Sequence, residues 1–140
     1  MNDETKLDGR TWVLLSLNVL AGLLEGAAAL VHVFAPAVFY PKLDVTPQFL
    51  SVAELFAVRN LVLTSALVYC TARRHLAFLS GLSLLMALIQ LPDAAFGLAA
   101  GNPGQLVAPL LCASLHGACA FVLWRADVWP NSRRVDTLAR

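Results

Sequence analysis

Charge is scarce in this sequence, and its absences exclude most soluble chemistries. Only 14% of the 140 residues are charged and the formal net charge is +1. No basic run able to neutralise phosphates occurs, so nucleic acid is not an expected partner. Cysteine appears three times, as Cys70, Cys112 and Cys119, without CxxC spacing, so neither a disulfide framework nor a thiol-redox motif is expected. There is no glycine-rich phosphate loop, no Ser-His-Asp order and no nucleotide fingerprint, and so no cofactor is implied. Strict polar–apolar alternation is missing as well. Runs such as Leu82-Ser83-Leu84-Leu85-Met86-Ala87-Leu88 argue against a β-barrel.

What is present is apolar: 59% of residues are hydrophobic and the mean hydropathy is +0.70. A soluble domain of this length has too little interior to hide so much apolar surface. The apolar residues fall in four blocks, from Trp12 to Pro36, Ser51 to Thr71, Leu76 to Gly101 and Gln105 to Trp124. A membrane-spanning helix needs about 20 such residues, and backbone groups in lipid must pair internally. The expectation is an all-α, integral membrane four-helix bundle forming one domain over residues 1–140, with a flexible tail from 130 to 140. The first block is too long for a signal-peptide core and follows the mixed-charge Asn2-Asp3-Glu4-Thr5-Lys6 segment, so it reads as a span.

Positive residues set the orientation. Lys6, Arg10, Arg73, Arg74, Arg125, Arg133, Arg134 and Arg140 share one side of a four-span topology, against Lys42 alone on the other. Positive residues collect on the cytoplasmic side, which places both termini there, in a plasma or bacterial inner membrane. Trp12, Trp124 and Trp129 fall at that same interface. The longest link, Ala37 to Leu50, contains Phe39-Tyr40-Pro41 and Thr46-Pro47, which are expected to break helices and to lie over the outer helix ends. Asn102-Pro103-Gly104 is expected to be a tight turn.

Polar residues inside the spans carry the information, because an intramembrane charge costs about 2.5–3.5 kcal/mol on insertion scales. The first block holds Asn18, Glu25 and His32 at seven-residue steps, which drift only about 20° each around a helix. Gly22 and Ala29 lie on the same stripe and would admit a close neighbour. The second block holds Glu54, Arg59, Asn60 and Thr64; the third Ser83, Gln90, Asp93 and Gly97, with a kink possible at Pro92; the fourth Cys112, His116 and Cys119. By topology these groups share the central and outer layers, which suggests a polar pocket sealed toward the cytoplasm. Arg59 with Asp93 or Glu54 reads equally as a structural ion pair, and Asn18, Ser83 and Thr64 as interhelical hydrogen-bonding residues. Glu25 is hardest to dismiss as structural, since a desolvated carboxyl near histidines is what proton transfer needs. Cys112 and Cys119 lie roughly 10 Å apart along a helix and cannot share an ion, so no metal site is expected.

The glycine-containing first block, Ala57-Val58-Arg59-Asn60-Leu61-Val62 and Leu91-Pro92-Asp93-Ala94-Ala95-Phe96-Gly97 resemble the small four-helix membrane proteins of the DoxX-like group, including a related family of unknown function. In those relatives an arginine followed by a polar or acidic residue recurs in the second helix, and an aspartate late in the third. Here Arg59 precedes Asn60, so an acid is missing at that place. The resemblance spans nearly the whole chain and implies the four-helix bundle, with Arg59 and Asp93 as pocket residues. Some members of the wider group accompany quinone-linked oxidation.

These readings converge on a pocket for a small hydrophobic or amphipathic molecule drawn from the membrane lipid. Glu25 would be the proton donor or acceptor, His32 and His116 its relays, and Arg59, Asn60, Asp93, Gln90 and Glu54 the ligand-binding residues. Isomerase, cyclase or quinone-linked chemistry would suit such a site. Two alternatives stand beside it. One is a proton-coupled transporter or channel, working as a homodimer through a seam of Gly22, Gly26 and Ala29. The other is an accessory subunit whose polar residues only join helices.

Overall fold

The computed structural model describes residues 7–39, 45–99 and 101–126. Tyr40, Pro41, Lys42, Trp129 and the 130–140 tail lie outside the described residues. The described chain is all-helical, with four helices long and apolar enough to cross a membrane: α1 (Gly9–Phe34), α2 (Pro47–Ala72), α3 (Leu76–Ala99) and α4 (Pro103–Arg125).

Local chemistry sets the helix ends. Asp8 caps α1, its Oδ1 accepting from the Thr11 backbone N–H at 2.8 Å. Phe34 closes α1 just before Pro36, which cannot continue the hydrogen-bond ladder and instead opens a short 3-10 turn over Pro36–Val38. Thr46-Pro47, expected to break a helix, starts one. Thr46 Oγ1 accepts from the Phe49 N–H at 3.2 Å, and proline at the first helical position lacks only an N–H that has no intrahelical partner there. So α2 begins ahead of the Ser51 start read from hydropathy. Likewise Asn102 is the cap of α4, its Oδ1 accepting from Gly104 and Gln105 N–H groups at 3.1 and 3.3 Å, with Pro103 in the first turn. Gly101 supplies a left-handed residue in that connection, at φ 62°. Pro92 and Pro109 sit inside α3 and α4 without ending them.

Two antiparallel hairpins, α1–α2 and α3–α4, make the most extensive contacts, and the seams α1–α4 and α2–α3 between them are narrower. Within the hairpins, small residues let backbones approach and hydroxyls bond to backbone carbonyls. Thr64 Oγ1 donates to the Gly22 carbonyl at 2.7 Å and Ser80 Oγ to that of Ala120 at 3.1 Å. A Cβ at Gly22 would stand 2.7 Å from Leu67 Cδ2, and one at Gly97 would run into the backbone of Gln105 and Leu106. Gly22 and Gly26 are therefore covered by α2 of the same chain, and Ala29 is buried too. They are not an exposed seam for a second copy.

Interior and surface divide unusually. Leu15, Leu67, Leu79, Met86, Cys119 and Leu123 form the core cluster. Asn18, Asn60, Thr64, Ser80, Ser83, Gln90 and His116 are also buried, while Leu24, Phe34, Leu55, Phe78, Phe96 and Leu111 face outward. Apolar exposure on this scale marks a surface meant for something other than water.

Candidate functional site

The most developed polar cluster lies where α1, α3 and α4 meet. Asn18 and Glu25 are two turns apart on α1, and the His116 ring from α4 fits between them. His116 Nδ1 lies 2.7 Å from Asn18 Oδ1, and Nε2 lies 2.9 Å from Glu25 Oε1. Asn18 Nδ2 donates to Ser83 Oγ on α3 at 3.1 Å, and Ser83 Oγ donates to Cys119 Sγ at 3.7 Å. Asn18, Ser83 and His116 are wholly buried, whereas the Glu25 side chain keeps 10% of its surface exposed. Glu25 is thus the open end of the chain. The Cys112 thiol, one turn from His116, also approaches the Glu25 carboxyl.

Donor and acceptor counting shows what this arrangement can do. With the Asn18 amide placed this way round, its oxygen faces Nδ1, so Nδ1 carries a hydrogen. The other ring nitrogen faces a carboxylate oxygen. Two lone pairs would repel at 2.9 Å, so one proton sits between Glu25 and His116. The pair is either imidazolium with carboxylate or imidazole with carboxylic acid, and it has no net charge in both forms. Asn18 holds the ring as an orienting acceptor holds a catalytic histidine, leaving Nε2 and Glu25 to exchange the proton.

A second pair bridges the opposite seam. Arg59 Nη2 on α2 donates to Asp93 Oδ2 on α3 at 2.9 Å, with 36% and 23% of the two side chains exposed. The Arg59 guanidinium also lies 4.8 Å from the centre of the Phe56 ring. Its Nε is enclosed and has no hydrogen-bond partner among the described residues. The two inter-hairpin seams are therefore each bridged by one acid and one base, Glu25–His116 at one and Arg59–Asp93 at the other.

Other residues expected at the site go elsewhere. His32 does not reach the Glu25–His116 pair. Its Nδ1 meets the Ala28 carbonyl of its own helix at 2.7 Å, and its ring stacks on Phe39 at 4.3 Å and tilts against Phe56 at 5.3 Å. Two further turns of α1 carry it to the α1–α2 connection, where these aromatics pack. Asn60 is buried but donates to the Phe56 carbonyl of its own helix at 3.1 Å. Glu54 is exposed near the start of α2, away from Arg59's partner. Gln90 is buried as a residue, and among the described residues its amide has no hydrogen-bond partner, although neither amide atom is fully enclosed. No three His, Cys, Asp or Glu side chains among the described residues gather as a metal-ligand set.

Asn18 and Ser83 are the site residues whose part the sequence understated. Their signal was the level they share with His116, which only the pairing of α1 with α3 and α4 could expose. Comparison with protein-family models, characterised proteins and solved structures finds no match to this chain.

Proposed function

We propose that this chain is an integral membrane protein with both termini on the cytoplasmic side, in a plasma or bacterial inner membrane. It binds a small hydrophobic or amphipathic molecule and exchanges a proton with it through Glu25 and His116. The outward leucines, valines and phenylalanines with polar groups gathered inside support insertion. Arg10, Arg73, Arg74 and Arg125 all fall at the helix ends nearest the termini, where Arg74 stacks over Trp12 at 5.5 Å and Arg125 over Phe121 at 5.7 Å. Basic and aromatic residues at one end support the cytoplasmic assignment.

The observation that carries the acid–base reading is the 2.9 Å contact between Glu25 and a His116 ring already oriented by Asn18. A proton leaving Glu25 for one atom of the ligand and returning from another isomerises it with nothing consumed. The DoxX-like resemblance at Arg59 and Asp93 fits the same bundle.

The test is mass spectrometry of small molecules that co-purify with the detergent-extracted protein, with Glu25→Gln and Arg59→Ala alongside. A specific molecule held by the wild type and diminished in both variants is expected. Bulk lipid alone, identical in all three, would contradict the reading. The complete burial of Asn18, Ser83 and His116 favours a second one, in which the network only ties helices together. On that reading Glu25→Gln leaves every activity intact.

A further inference from the structure

Among the described residues, Gln90 is the buried polar side chain that makes no hydrogen bond, whereas Asn60, Thr64 and Ser80 each bond a backbone carbonyl. Gln90 is 5% exposed, shares the inward face of α3 with Ser83, Met86 and Ala94, and its amide is unpartnered among the described residues. The Asn18–Ser83 bond fixes the level of α1 against α3. Seven residues onward along both helices, roughly 10 Å, stand Glu25 and Gln90. The two therefore occupy one layer on the two diagonally placed helices. Buried residues next to them are Gly26 on α1 and Ala94, one turn past Gln90 on α3, with Thr64 of α2 set against Gly26.

The charges around this layer cancel. Arg59 is matched by Asp93, and with Asn18 Oδ1 facing Nδ1 the Glu25–His116 contact counts to no net charge. An anion or cation entering here would meet no compensating charge, and an unpaired ion in an apolar surround is strongly disfavoured. A neutral oxygen is what an unpartnered amide NH2 accommodates.

We propose that Gln90 binds the oxygen of the ligand, and that the ligand is a neutral amphipath bearing a carbonyl or hydroxyl group. Gln90 Nε2 donates to that oxygen while Glu25 and His116 act from the opposite side of the layer. This rests on the ligand-pocket reading given above, and it narrows that reading to one chemical class.

The experiment uses the full chain in lipid nanodiscs and three photoreactive probes that share one diazirine-bearing alkyl chain. They end in a methyl ketone, a carboxylate or a trimethylammonium group. The ketone is expected to label segments 22–29 and 86–94 preferentially, and Gln90→Met to reduce that labelling about tenfold, as loss of one specific hydrogen bond would. The thermal midpoint of Gln90→Met should not fall, because no intramolecular bond is lost. Equal ketone labelling in Gln90→Met overturns the role of Gln90 but leaves the pocket standing. Stronger labelling by either charged probe overturns the neutral class. If no probe labels either segment, the pocket reading falls and this proposal with it.

Discussion

The two ends of the bundle are filled by different kinds of residue. Toward the chain termini the interior holds Leu15, Leu67, Leu79 and Leu123, large side chains buried against one another. Toward the α1–α2 connection it holds Ala29, Ala53, Ala57, Ala94 and Gly97, with Gln90 and Asn60 among them, and the Arg59–Asp93 pair at its seam. The Glu25–His116 pair lies between the two. The same four helices thus hold a close-packed half that specifies the fold and a half in which fill has been exchanged for polar groups. Close packing and polar grouping thus occupy different ends of one structure.

The largest effect should come from the packed half. Leu67→Ala or Leu123→Ala is expected to cost about 2–5 kcal/mol, as removal of a fully buried leucine leaves a cavity. Ala57→Ser, in the other half, should change stability little. Reversible unfolding in mixed micelles measures both, and similar losses at the two positions would erase the distinction. At the boundary, Asn18→Leu strands His116 Nδ1 and leaves Ser83 Oγ with Cys119 Sγ alone. It should cost about 1–3 kcal/mol by the same assay, since buried groups lose their partners.

Arg59 and Asp93 should couple by about 0.6 kcal/mol and no more than about 1.7, the range of interhelical side-chain bonds in membrane bundles. A double-mutant cycle with Arg59→Leu and Asp93→Leu reads this directly, and a larger coupling would make the polar half a principal source of stability. The smallest effect lies outside the spans, at the α1 cap. Hydrogen bonds from Thr11, the largest cause, hold the Asp8 carboxyl below its ordinary pKa. A depressed carboxyl stabilises the folded state above its unfolded pKa, and that contribution is lost as pH falls through the folded value. Protection factors at Thr11 and Trp12, the exchange rates corrected for the intrinsic rate at each pH, should fall at acid pH in the wild type, and Asp8→Asn should remove that fall.

Hydropathy made the four helices legible, because each block is long enough to span by itself and needs no partner to be recognised. The α2 start was misread because Thr46-Pro47 has opposite meanings inside a helix and at its first turn. Seven-residue spacing found Glu25 as well as Asn18, and composition found His116. Spacing could not say which histidine would reach the carboxyl. His32 shares the α1 face with Glu25, but it lies two turns farther and bonds its own helix at Ala28. His116 comes from another helix, and its position depends on the pairing of α1 with α4. The Arg59–Asp93 pair was recoverable from charge complementarity between α2 and α3, whereas Asn60 satisfies itself locally on Phe56.

The central claim is that Glu25 and His116 hold one proton between them, poised for a bound molecule. Nitrogen-15 NMR of the His116 ring, in the full chain in nanodiscs, tests it most directly. The account predicts a protonated Nδ1 that is unchanged in Glu25→Gln. It predicts an Nε2 signal displaced toward the protonated range in the wild type, and returned to the ordinary unprotonated range by that substitution. Ring signals identical in wild type and Glu25→Gln would contradict the shared proton, and with it the proposed chemistry.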